Sequence, residues 1–110
     1  MKKIIFLILN ILGTYLCSAQ TDTAFWFAAP EVSTSHEQPI HLRISSYLQP
    51  CTVTISQPAG GGMPTQTFSI APNSTQSVDL SAWITNIECL PGNTIQNKGI
   101  KITSSNKISI

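Results

Sequence analysis

Between Thr52 and Leu80 apolar and small polar residues alternate with period two. Val53 and Ile55 share one face, with Thr52, Thr54 and Ser56 on the other; Phe68 and Ile70 repeat the scheme, as do Val78 and Leu80. Successive side chains of a strand point to opposite faces, so this alternation predicts three short half-buried strands. The stretch from Pro58 to Pro64, which holds Gly60-Gly61-Gly62, separates the first two, and Ala71-Pro72-Asn73-Ser74-Thr75 separates the second from the third. Both carry the residues that turns demand.

The flanking chain extends the pattern. Residues 23–30 hold three adjacent aromatics in a β-favouring run stopped by Pro30, which reads as a first strand. Ile40, Leu42 and Ile44 alternate with His41, Arg43 and Ser45 as a second strand. The short polar turn from Ser46 to Pro50 then predicts an antiparallel hairpin with the strand that starts near Thr52. Leu80, Trp83, Ile84 and Ile87 change the period to a one-sided helical stripe, with Asp79 or Ser81 able to cap its start. A short helix plugging one end of the sheet, with Trp83 in the core, fits that stripe. Ile100 and Ile102 point to a sixth strand over residues 98–104, Ser105-Asn106 to a two-residue turn, and residues 107–110 to the beginning of a seventh. One-faced strands must bury that face against a second layer. The predicted fold is an all-β, antiparallel, sandwich-like domain with one short helix, expected to be incomplete at the C-terminus because the alternation stops without a cap.

The first residues follow another logic. Lys2 and Lys3 precede an apolar run from Ile4 to Leu16, and Cys17-Ser18-Ala19 offers small residues for cleavage after Ala19 or Gln20. This is the pattern of a secretory signal peptide over residues 1–19. A membrane anchor would need ~20 apolar residues, more than this run supplies, and Leu16 directly before Cys17 does not suit a lipoprotein signal. Residues 20–110 then form the mature domain, secreted or on the outer cell surface, with no membrane span. Removal of the signal takes Lys2 and Lys3 away and leaves four basic side chains against five acidic ones. Such a balance offers no basic field for nucleic acid or anionic lipid.

Candidate chemistry is sparse. His36-Glu37-Gln38-Pro39-Ile40-His41 resembles a zinc-protease motif superficially, but the histidines are five apart and Pro39 forbids a helix interior. Both read as surface histidines, with no metal or cofactor expected. The glycine run lacks the Gly-Lys-Ser/Thr sequence of a phosphate loop and reads as a flexible hairpin tip. Nothing in the spacing of Asp22, Glu31, Glu37, Asp79 and Glu88 selects a glycosidase pair, and no catalytic residue is expected. Strict alternation in the first strand turns Phe25 and Phe27 inward and Trp26 outward. An exposed Trp26 would be a contact aromatic on which a sugar could stack; the blander expectation is that both faces of that strand are covered. With Cys17 removed, Cys51 and Cys89 remain as an even pair in an oxidising compartment. They are the candidate disulfide, with two buried free thiols as the alternative.

Five stretches together resemble one family: residues 25–32 (Phe-Trp-Phe-Ala-Ala-Pro-Glu-Val), residues 39–45, residues 52–58, the Asn73-Ser74-Thr75 turn with Val78-Asp79-Leu80, and residues 99–104. They are similar to the start of the IgGFc-binding-protein N-terminal-like domain. That domain opens large exported surface proteins of Bacteroidota, many of which end in a gliding-motility or type IX secretion sorting domain. Cys51 and Cys89 lie outside its pattern. The resemblance implies a non-catalytic adhesion or binding module at the N-terminus of a secreted or cell-surface protein, with an unknown protein or glycan partner. The alternative is an accessory carbohydrate-binding β-domain of a secreted hydrolase.

Overall fold

The structure, a computed structural model, describes residues 20–31 and 39–110. The expected signal peptide, and His36 and Glu37 with it, lie outside the described residues. In chain order the elements are β1 (Asp22–Phe27), β2 (His41–Ser46), β3 (Cys51–Ser56), β4 (Gln66–Ile70), β5 (Thr75–Asp79), a 3-10 turn (Ser81–Trp83), the helix α1 (Ile84–Ile87) and β6 (Ile100–Ser109). All six strands join one sheet, and every strand pairing is antiparallel. The chain is all-β with one short helix.

The sheet is organised around β6. Ile102 faces Phe25 of β1 on one side and Ile55 of β3 on the other. Ile108 faces Asp22 of β1 and Ser46 of β2. One edge of β6 therefore holds β1, while β3 and β2 share the opposite edge, one after the other. Beyond them, β4 pairs with β3 and β5 pairs with β2. The hairpin expected between β2 and β3 does not form, because β2 leads into β3 in the same direction along β6. The register of this pairing decides the matter, and a four-residue turn carries no signal of it.

Three chain segments depart from regular pairing at one level. Between β2 and β3 lie residues 47–50, between β4 and β5 lie residues 71–74, and β6 is irregular where its register jumps from Ala24↔Thr103 to Asp22↔Ile108. Pro50 and Pro72 cannot donate to a ladder, and Asn73 takes a left-handed φ of 52°. The segments are bonded to one another. Ser46 N–H donates to Ser74 O at 2.9 Å and Asn73 N–H to Tyr47 O at 2.6 Å. Asn106 Nδ2 donates to Pro50 O at 2.7 Å, and Thr52 N–H to Ser105 Oγ at 3.0 Å. Bulges and bends of this kind let a strand pass from one layer to another. The sheet turns over here, and the two layers expected are two halves of one sheet. The sixth strand and the start of the seventh are likewise one strand, since Ser105-Asn106 is a bulge within β6 rather than a turn.

Both halves face one hydrophobic cluster. Val53, Ile55, Ile70, Ile100 and Ile102 come from the half that holds β3, β4 and the first part of β6; Ile44, Val78 and Ile108 come from the other. The segment after β5 closes the end opposite the bend. Leu80 and Ile87 are fully buried, as the stripe implied, whereas Trp83, expected in the core, is half-buried and packs against the cluster from outside it. Leu80 N–H donates to Ile40 O at 2.8 Å, and Ile40 N–H to Ser81 Oγ at 2.9 Å. At the far side Gln57 is buried, and its Nε2 donates to Asn86 O at 2.9 Å and Lys98 O at 3.1 Å. Its Oε1 accepts from Met63 N–H at 2.7 Å. Lys98, expected within a strand, instead reaches the carbonyls of Thr85 and Glu88 at 3.1 and 2.9 Å, where a helix end leaves acceptors free.

The glycine loop is tied down rather than a free tip. A β-carbon at Gly61 would lie 2.6 Å from Gln57 Nε2, and one at Gly62, where φ is +98°, would lie 2.5 Å from Asn86 Nδ2. Two of the three glycines are there because side chains of the closure cross directly over them.

Candidate functional site

The half-sheet of β1, β6, β3 and β4 turns the odd-numbered residues of β1 and β3 and the even-numbered residues of β4 and β6 inward, and the others to solvent, as register requires. Phe25, Ile102, Ile55 and Gln66 lie in one cross-strand row on the inner side. On the outer side Trp26, Lys101 and Ser56 form one row, and Ala24, Thr103, Thr54 and Thr67 form the next. Thr54 Oγ1 and Thr67 Oγ1 stand 3.3 Å apart. The result is a face of small hydroxyl side chains with one large aromatic near its margin.

Trp26 is 62% exposed, against the expectation that both faces of its strand are covered. Among the described residues β1 has a strand only on its β6 side, and the outward residues of β1 are exposed. Lys101 Nζ sits 5.4 Å from the centre of the indole ring, a cation–π contact set by the direct Trp26↔Lys101 pairing. A concavity of about 280 Å³ runs beside β1, lined by Trp26, Phe25, Phe27 and Ala24 together with Gln20 and Ile110. Phe27 was expected to be buried, yet it is 37% exposed because it ends β1 at the rim of the closed end.

A second concavity, about 240 Å³, opens between the halves beside Phe27, Pro30 and Ile40, with Leu80, Ile87 and Ile100 at its base. All its lining residues are apolar, so it offers no side-chain group to orient a ligand.

The other candidate residues are dispersed. His41 is exposed at the start of β2, opposite Asp79. The Ser81 hydroxyl, then the Ser81 backbone N–H at 2.8 Å, hold the Asp79 carboxyl below its ordinary pKa, with His41 adding a smaller effect. Asp79 thus fastens the start of the closing segment, while Ser81 serves Ile40. Cys51 and Cys89 are both free thiols. Cys51 is buried at the bend, opposite Ile70, whereas Cys89 follows α1 at the closed end, where its N–H donates to Ala29 O at 2.9 Å. The disulfide expected from their parity is not formed, because β3 runs from one end of the core to the other between their positions. Burial pushes the Cys51 thiol pKa up. Among the described residues no three His, Cys, Asp or Glu side chains gather in a group able to hold a metal, and no helix is long and apolar enough to cross a membrane.

Trp26 was therefore legible as a candidate, while its companions were not. Lys101 was readable only as an outward residue of its strand. What makes it part of a site is register with a strand about seventy-five residues away in sequence. Compared with protein-family models, with curated protein sequences and with solved structures, the chain matches none.

Proposed function

We propose that the chain is a non-catalytic binding or adhesion module that works outside the cell, in keeping with the family its stretches resemble and with the signal pattern over residues 1–19. The observation that carries this reading is Trp26: a large aromatic near the end of β1, 62% exposed, on a face whose other side chains are small hydroxyls, Ala24 and Lys101. Leaving so much apolar surface in water forgoes its burial, and an exposed aromatic with a polar surround is the usual anchor of a contact surface. The exposure of Trp26 also favours the second reading, an accessory carbohydrate-binding domain of a secreted hydrolase. In either case the domain binds and a different part of the system acts.

Beads coated with the full chain and held under flow on polysaccharide-coated and protein-coated surfaces test this. Retention on one class of surface that Trp26→Ala abolishes supports it. Retention unchanged by Trp26→Ala, or chemical breakdown of the surface by the chain itself, overturns it.

A further inference from the structure

We propose that the face around Trp26 takes an acidic glycan, a chain of pyranose units bearing carboxylates, with Trp26 as the stacking platform and Lys101 as the carboxylate partner. The proposal rests on reading the chain as a binding module, and it names the ligand class of that site.

The pairing of Trp26 with Lys101 decides between neutral and acidic sugars. A pyranose ring presents a flat patch of C–H groups that packs on an indole face. In the free protein the ammonium of Lys101 stands over that ring, 5.4 Å from its centre. A neutral sugar that stacks there displaces the cation and offers it only uncharged hydroxyl acceptors, which water already supplies. A uronate supplies a carboxylate, and a charge-assisted hydrogen bond is stronger than an exposed cation–π contact. The exchange favours the acid over its neutral counterpart.

The surroundings agree in charge and shape. Across residues 24–26, 52–56, 67–69 and 101–105 Lys101 is the one charged side chain. No carboxylate within those rows competes for the ammonium or repels an anion. Ala24 leaves the flank of the indole open along β1, and Thr103 and Thr54 bring hydroxyls into the neighbouring row, where sugar hydroxyls can exchange hydrogen bonds with them.

The test is calorimetric titration of the full chain with a short oligogalacturonate, with its methyl-esterified counterpart, and with oligoglutamate. The ester keeps the sugar and removes the charge. The acid should bind about tenfold tighter than the ester, a preference that shrinks as salt is added. Lys101→Met, which keeps the apolar stem, should make the two bind alike; Trp26→Ala should abolish both. Equal binding of acid and ester by the parent protein overturns the proposal, as does a preference that survives Lys101→Met. Oligoglutamate binding as tightly as the uronate also overturns it, in favour of an acidic peptide. If neither sugar binds while bead retention still depends on Trp26, the acidic-glycan assignment falls and the binding module stands. Retention indifferent to Trp26 removes the module reading as well.

Discussion

Gln57 offers the sharpest test of how the two halves of the sheet are held together. Its side chain makes three hydrogen bonds, to Met63 N–H, Asn86 O and Lys98 O, and so joins the end of β3, the glycine loop, the helix and the approach to β6. Replacement by Met keeps the volume but leaves all three backbone groups without this partner. The buried Met63 N–H is the most costly of them, at about 1–3 kcal/mol, and each part-buried carbonyl adds about 0.5–1 kcal/mol. The expected loss is therefore about 2–5 kcal/mol, a large share of the stability of a domain this small. Gln57→Glu separates hydrogen bonding from shape. It retains an acceptor for Met63 N–H but turns a carboxylate oxygen toward two carbonyls. The folded state then favours the protonated acid, so the folded pKa of that Glu lies above its unfolded value. The variant should be most stable below the unfolded carboxylate range of ~4.3 and should lose stability as pH rises through the folded pKa. Urea unfolding gives the global free energies, and hydrogen exchange at Met63 N–H reads the local opening, which should quicken on the order of a hundredfold in Gln57→Met. A Gln57→Met protein within about 0.5 kcal/mol of the parent, or a Gln57→Glu protein whose deficit is flat with pH, would refute the idea that this side chain secures the closure.

Two further outcomes follow from the titratable groups. Asp79 has a lowered folded pKa, so its contribution to stability is present above the unfolded carboxylate value and is lost as pH falls through the folded one. The stability difference between the parent and Asp79→Asn should accordingly shrink below about pH 3.9; a difference that is constant from neutral pH to strong acid would contradict the Ser81 contact as its source. The cysteines separate by environment. Alkylated without reductant, the unfolded chain should take up label at both Cys51 and Cys89, whereas in the folded chain half-buried Cys89 should react first. Cys51 should lag because burial raises its pKa and keeps it in the unreactive thiol form. Absence of label from both in the unfolded chain would mean that the two are bridged.

The period-two alternation by itself determined that the chain is all-β, and it placed Ile44, Val53, Ile55, Ile70, Val78 and Ile102 in the core. It did so because one face of a strand must leave water whatever its neighbours are. The shift of spacing at Leu80, Trp83 and Ile87 likewise announced the closing helix. Pairing is a different kind of information. Whether β2 folds back on β3 or runs on into it depends on which edge of β6 each occupies, and nothing between Ser46 and Cys51 encodes that choice. The bend exists because three segments far apart in sequence depart from regular pairing at the same level, and only their mutual hydrogen bonds bring it into view. Ser105-Asn106 therefore read as a turn when it is a bulge in a continuous strand. The candidate site divides in the same way. An outward Trp26 follows from alternation alone, but its exposure depends on what the tertiary structure leaves uncovered, and its cation depends on the register that sets Lys101 opposite it. Gln57 carried no local signal at all, since a glutamine before a proline reads as surface until three backbone groups from elsewhere converge on it.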